Sequence, residues 1–297
     1  MKSKIYTKSL FHRKAAGILF LATVFYLVFI GRILPPPSPA RAEVIKKPLL
    51  FGIVSDIQYA DKDSLRGRHY RASIGNIQKC VDDFNKNKPV FVIQLGDIID
   101  GQGKDIIRTH SDLDSVTRVI RHLKMPLYHA IGNHDLSADK NHLRSSLGLP
   151  EFYYDFTVPQ AKGWRFFVLD GNDGGYGIMG DEQITWLRNN LWKARQNRER
   201  VICFSHYAVN KSAAGKHYMA KPEPVLDILD STGCVVAWFA GHDHAGGYAL
   251  RNGVHHITIK GMVEAPNENS YAFIRLYPDR IILTGVGKEE SRTLPFR

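Results

Sequence analysis

The sequence predicts an α/β sandwich, a mixed pair of sheets flanked by helices, in a single domain that begins at residue 43. Three observations carry this. Short apolar runs alternate with stretches of helical periodicity, five successive runs end in polar residues of one chemical kind, and the chain closes in a strand-rich segment. At 297 residues, 44% hydrophobic and 23% charged, the composition is that of a globular protein, and no repeat marks a solenoid or propeller.

Leu49 to Val54 reads as a buried strand running into Ser55-Asp56. Arg68 to Asn87 has apolar residues at 70, 74, 77, 81 and 84, the spacing of an amphipathic helix. Val90 to Leu95 is the next strand, Leu113, Val116, Ile120 and Leu123 mark the next helix, and Leu127 to Ile131 a third strand ending in Gly132-Asn133-His134-Asp135. Arg165 to Leu169 is a strand, Ile184, Leu187, Leu191 and Ala194 give a helix, and Val201 to Phe204 is a strand that ends at Ser205-His206. Pro222 to Leu229 suits a helix with proline in its first turn. Cys234 to Ala240 is a strand leading to Gly241-His242-Asp243-His244, and the segments from Tyr248 onward, among them 254 to 259, 272 to 276 and 281 to 284, look antiparallel.

Residues 1 to 42 read differently. A basic stretch ending at Lys14 precedes 17 apolar or small residues, Ala15 to Gly31, and then come Pro35, Pro36, Pro37, Pro39 and Ala40-Arg41-Ala42. This pattern predicts a cleaved export signal or an uncleaved membrane anchor, with the body outside the cytoplasm by the positive-inside bias. The distance from the apolar run to Ala42 favours the anchor. The run is apolar on all faces, which argues against an amphipathic transit peptide or a core helix.

The net charge of +11 raises a nucleic-acid partner, but seven Lys and Arg lie in the leader; without them 33 basic residues face 29 acidic ones, a net of +4. No polyanion partner is expected. Cys80, Cys203 and Cys234 sit in apolar surroundings without CxxC spacing, so buried free thiols are expected rather than disulfides or a zinc ribbon. Oligomeric state leaves no signal.

The strand tips carry Asp56, Gln58, Asp97, Asn133, His134, His206, His242 and His244, all oxygen or imidazole donors. Loops at the carboxyl ends of α/β strands converge in space, so groups far apart in sequence can share one site. Each motif alone is more often a turn or a satisfied histidine. Together, in five loops and with glycine before Asp97, Asn133 and His242 permitting close backbone approach, they are improbable as accidents.

The blocks Asp56-Ile57-Gln58, Gly96-Asp97-Ile98-Ile99-Asp100, Gly132-Asn133-His134-Asp135, Ser205-His206 and Gly241-His242-Asp243-His244 resemble, in order, the signature of the calcineurin-like metallophosphoesterases. Gln58 stands where most of that superfamily has histidine, and in this the chain resembles the branch of manganese-dependent ADP-ribose/CDP-alcohol diphosphatases. FGIVSDIQYA from Phe51, QLGDIIDG from Gln94, QITWL from Gln183 and FAGHDHAGGY from Phe239 are similar to that branch too. The resemblance covers residues 49 to 287 and departs at compact segments after Asp135 and around Asn172, where the branch carries insertions.

The resemblance implies a four-layer α/β/β/α sandwich with a dinuclear metal site at the strand ends. Asp97 would bridge two divalent ions; Asp56, Gln58 and His244 would complete one site, Asn133, His206 and His242 the other. Oxygen and imidazole donors without thiolate suit Mn²⁺ first, with Fe²⁺ and Zn²⁺ as further choices. His134 matches the catalytic histidine, oriented by Asp100 or, as second choice, Asp135. The iron-binding tyrosine of purple acid phosphatases would fall at Asp100, which disfavours that group. The function implied is hydrolysis of a small-molecule phosphoester, foremost a nucleotide pyrophosphate bond, with a phosphodiester or phosphomonoester as the alternative. A binding protein without catalysis is disfavoured by the intact donor set.

Overall fold

The computed structural model describes residues 48–296. The leader, and with it the domain boundary expected at residue 42, lies outside the described residues.

Among the described residues twelve strands form two sheets of six. The first takes the order β12 (Arg292–Pro295), β11 (Arg280–Gly287), β10 (Ser270–Leu276), β1 (Leu49–Val54), β2 (Val92–Gln94) and β3 (Leu127–His129). The second takes β4 (Tyr154–Phe156), β5 (Trp164–Leu169), β6 (Arg200–Ser205), β7 (Val235–Ala240), β9 (Val254–Thr258) and β8 (Gly247–Arg251). Both sheets are mixed: β1, β2 and β3 run parallel, as do β5, β6, β7 and β9, and antiparallel strands complete each sheet.

Alternation along the strands builds the layers. Phe51 and Ile53 of β1 point into the space between the sheets, where they join Phe91, Phe166, Phe204 and Phe239, while Val54 packs on the outer face. The Phe51 and Phe91 rings stack with centroids 4.8 Å apart. The outer face of the first sheet is covered by α1 (Ser73–Asn87), α2 (Ile106–Ile120) and α3 (Lys140–Leu147), and that of the second by α4 (Asp181–Gln196) and α5 (Glu223–Thr232). This is the expected α/β/β/α sandwich, and the three cysteines are free and buried as expected.

Helix ends follow local chemistry. Asp105 caps α2 by accepting from the Arg108 amide at 3.0 Å, and Asp139 caps α3 through the His142 amide at 2.9 Å. The predicted helix over 68–87 is α1 preceded by a 3-10 turn, Tyr70–Ala72. α3, β4, β8 and β12 were not foreseen; they are short, and β4, β8 and β12 lie at sheet edges, where half-exposed residues give no clean period.

The antiparallel expectation for the end of the chain needs one correction. β9 pairs in parallel with β7, and β8 takes the edge. The fully buried β9 needs a neighbour on both sides, whereas β8 is half-exposed; Asn252 (φ 49°) and Gly253 (φ 83°) make the tight turn between them.

A second correction concerns location. Among the described residues no helix is long and apolar enough to cross a membrane, and the leader that suggested export lies outside them. The expected extracytoplasmic placement, membrane-tethered or released by cleavage near Ala42, therefore has no support among the described residues.

Candidate metal centre

The parallel strands of both sheets end on one side of the sandwich, and the loops after β1, β2, β3, β6 and β7 meet there. Four of the expected donors, Asp56 (φ 52°), Gln58 (φ 41°), Asp97 (φ 54°) and His242 (φ 69°), have left-handed backbone. For residues with a Cβ this conformation is strained, and it persists where surrounding structure enforces it, characteristically at functional sites. The glycines explain how the loops come so close. A Cβ on Gly132 would lie 2.1 Å from Asp97 Oδ1, and one on Gly241 1.9 Å from Ser55 Oγ and 2.6 Å from Asp56 Oδ2.

Asp56, Gln58, Asp97 and His206 are buried. Asp97 Oδ2 accepts from Gln58 Nε2 at 2.9 Å and lies 3.4 Å from His206 Nε2, while Asp97 Oδ1 accepts the His134 amide at 2.9 Å. His206 Nε2 is 3.0 Å from His242 Nδ1, and one ligand atom each of Asp97, His206 and His242 lie within 4.8 Å of one another. Asp56 Oδ2 accepts from Ser55 Oγ and the His242 amide, which leaves Oδ1 toward His244 Nε2 at 3.3 Å. Asn133 is half-buried beside this group, with Oδ1 3.4 Å from the Tyr207 hydroxyl.

Each imidazole is fixed from behind. His206 Nδ1 faces the Leu95 carbonyl at 2.9 Å, His242 Nε2 the Tyr176 hydroxyl at 3.1 Å, and His244 Nδ1 the Glu264 carboxylate at 2.9 Å. Such outer contacts select which ring nitrogen faces inward. Burial alone would neutralise Asp56 and Asp97, but His244 beside the first and His206 beside the second outweigh it and hold both carboxyls below their usual range. Burial pulls His242 down to about 3, with His206 adding to the effect, so its imidazole is neutral at pH 7 and offers a lone pair.

Two buried oxygens test whether this group fits cations. Gln58 Oε1 accepts no hydrogen bond and Asp56 Oδ1 faces only the His244 ring, at 3.3 Å, although buried polar atoms are nearly always fully paired. Both belong to donors expected at the first ion site. Buried oxygens with free lone pairs next to acidic and imidazole donors are what a divalent cation requires, so the residues fit the implied metals.

His134 stands at the rim, half-buried, its Nδ1 2.9 Å from the Asp100 carbonyl and 3.2 Å from Asp100 Oδ1. Asp100 also pairs with Lys62 and, at 3.6 Å, Arg68. Asp135 does not touch the His134 ring in any described contact. It accepts the amides of Asp97, Ile98 and Gly132 at 2.9, 2.7 and 2.8 Å, tying two site loops together. Burial and the Asp97 charge push Asp135 up to about 7, against the pull of those amides. Sequence reading did not find Glu264 or Tyr176. Glu264 lies 20 residues beyond His244 with no motif around it, and Tyr176 sits in the glycine-rich run 171–180, one of the compact segments already marked as divergent.

Two packed sheets flanked by helices, with a nest of carboxylate, amide and imidazole donors at the carboxyl ends of their parallel strands, define a metal-dependent hydrolase of the metallophosphoesterase class. The chain belongs to the calcineurin-like phosphoesterase family, whose model matches residues 49–246. It is 31% identical to a manganese-dependent ADP-ribose/CDP-alcohol diphosphatase of Oryza sativa subsp. japonica, over 84% of this chain and 95% of that protein. It is 28% identical to the protein of the same name from Mus musculus, over 89% of this chain and 97% of that one. Among solved structures it resembles a dimetal phosphatase from Danio rerio, with a TM-score of 0.76 and 26% identity over 84% of this chain and 100% of that one.

Proposed function

We propose that this protein is a manganese-dependent diphosphatase that hydrolyses the pyrophosphate bond of a nucleotide conjugate of the ADP-ribose or CDP-alcohol type. The observation that carries the reading is the pair of buried oxygens that accept no hydrogen bond, Asp56 Oδ1 and Gln58 Oε1, inside the Asp97, His206, His242 and His244 group. The amide in that first site is the point at which the sequence resembles the diphosphatase branch, and similarity to proteins of that name extends over most of the chain.

In this reading Asp97 would hold both ions, Asp56, Gln58 and His244 the first, and Asn133, His206 and His242 the second. Bound there, two divalent ions would supply Lewis acidity to the phosphoryl oxygens and lower the pKa of a water toward about 7. The protein supplies the remaining steps. Gln58 donates its Nε2–H to Asp97 and so turns its own carbonyl oxygen inward. The Asp97 carboxylate is aimed by the His134 amide, so the donor set and His134 are linked through one peptide. Asp100 holds Nδ1 of His134, which leaves Nε2 to deliver a proton to the departing phosphate oxygen.

The test is residues 43–297, stripped of metal and reloaded with Mn²⁺, assayed on ADP-ribose, CDP-choline, bis(p-nitrophenyl) phosphate and p-nitrophenyl phosphate, with bound metal counted. Two ions per chain and preference for the two diphosphates are expected. Preference for either nitrophenyl ester would replace the diphosphatase reading with a phosphodiesterase or phosphomonoesterase, and one ion per chain, or unchanged binding in Asp97→Ala, would refute the bridged centre.

A further inference from the structure

We infer that Glu264 is the positioning residue of the first ion site: its carboxylate fixes the tautomer and ring orientation of His244 and backs that imidazole with a negative charge. The inference rests on the proposed ligand set and adds to it a residue that no part of that set includes.

The geometry is specific. His244 Nδ1 lies 2.9 Å from Glu264 Oε1 and donates to it, so Nε2 is the nitrogen left to face the site. That Nε2 faces Asp56 Oδ1 at 3.3 Å. The ring has little room to turn, since a Cβ on Gly261 would meet its Cγ at 2.7 Å, and only 7% of the His244 side chain is exposed.

Glu264 is itself tied to the strand tip it serves. It ends a 3-10 turn, Met262–Glu264, whose first two amides donate to the carbonyls of Ser55 at 3.1 Å and Asp56 at 3.0 Å. Lys288 Nζ holds the Glu264 carbonyl. One turn therefore fixes the backbone of Asp56 and the imidazole of His244 together, and a shift of one displaces the other.

Charge gives the second half of the argument. The second site draws on Asn133, His206 and His242, and the outer partners of its imidazoles are a carbonyl and a tyrosine hydroxyl, both neutral. The first site has Asp56, the amide Gln58 and one imidazole, and only that imidazole is backed by a carboxylate. Carboxylate–histidine–metal chains raise the basicity of the ligating nitrogen, and removing the outer carboxylate typically weakens metal binding by about 10- to 100-fold. The loss should fall on one ion of the two.

The experiment is a Mn²⁺ titration of the metal-stripped full chain, followed by the electron paramagnetic resonance signal of free Mn²⁺, for wild type, Glu264→Ala and Glu264→Gln. In Glu264→Ala one of the two dissociation constants should rise by about 10- to 100-fold while the other stays within about threefold. Glu264→Gln can still accept from Nδ1–H but carries no charge, so its affected constant should fall between those of wild type and the alanine variant. The Mn²⁺ concentration giving half-maximal activity should rise by the same factor as that constant. Two unchanged constants in Glu264→Ala would overturn the role of Glu264 alone. Equal weakening of both ions, with a lower melting temperature of the metal-free protein, would overturn it as well, since it would mark a general loss of structure. A wild type that binds fewer than two ions would overturn the ligand set and this inference together.

Discussion

Replacing Asp135 by asparagine separates holding the loops from holding the proton donor. One carboxylate oxygen accepts the amides of Asp97 and Gly132, and the other those of Ile98 and, at 3.4 Å, Ile99. An asparagine keeps a single acceptor oxygen, so whichever way the amide turns, its NH₂ group meets two backbone donors and at least one buried N–H is stranded. Each lost bond to a charged acceptor is worth about 1.5–3 kcal/mol, and a stranded buried donor costs a similar amount. Relief from burying a charge beside Asp97 offsets part of this, and the net expected loss is about 3 kcal/mol. For a domain of this size that lowers the melting temperature by roughly 6–12 °C. Calorimetry of metal-free wild type and Asp135→Asn at pH 7.5 measures it. A melting temperature within about 2 °C of wild type would refute the clasp. An activity loss that grows as the leaving group worsens, at unchanged stability, would show instead that Asp135 orients His134.

Two further outcomes are expected. His134→Ala should retain both ions but lose turnover by about 10²–10⁴, the usual contribution of a general acid, with a smaller loss on p-nitrophenyl than on alkyl esters; equal losses on the two would exclude proton donation. Burial pulls His129 down to about 4, so the folded state binds fewer protons than the unfolded one: stability is fully present above about pH 6.5 and falls as the pH drops toward 4. Between pH 7 and pH 5 wild type should lose about 2 kcal/mol more than His129→Gln in denaturant titrations, and parallel losses would show that His129 does not drive the acid sensitivity.

Much of the fold is legible in the residues. The run Leu49 to Val54 and the spacing of Ile77, Val81 and Phe84 record which face of each element meets the core, because burial of apolar surface imposes the period of the backbone on the sequence. The expected donors could be picked out for a related reason: cations need oxygen and imidazole, so the chemistry appears as residue type at strand ends, and glycines before Asp97, Asn133 and His242 betray the close approach of loops. The edge strands β4, β8 and β12 escaped notice because half-exposed strands bury too little to leave a pattern.

What the sequence by itself determined is thus the sandwich, the family and the kinds of atom at the site, all of which follow from local periodicity and side-chain chemistry. Only the tertiary structure decided that β9 lies beside β7, that Asp135 clasps the loops while Asp100 faces His134, and that Glu264 stands behind His244. The physical reason is that these are distances between residues far apart in the chain or identical in type. Asp100 and Asp135 are both aspartates within a motif, and which of them meets an imidazole and which meets four amides is fixed by how the loops cross.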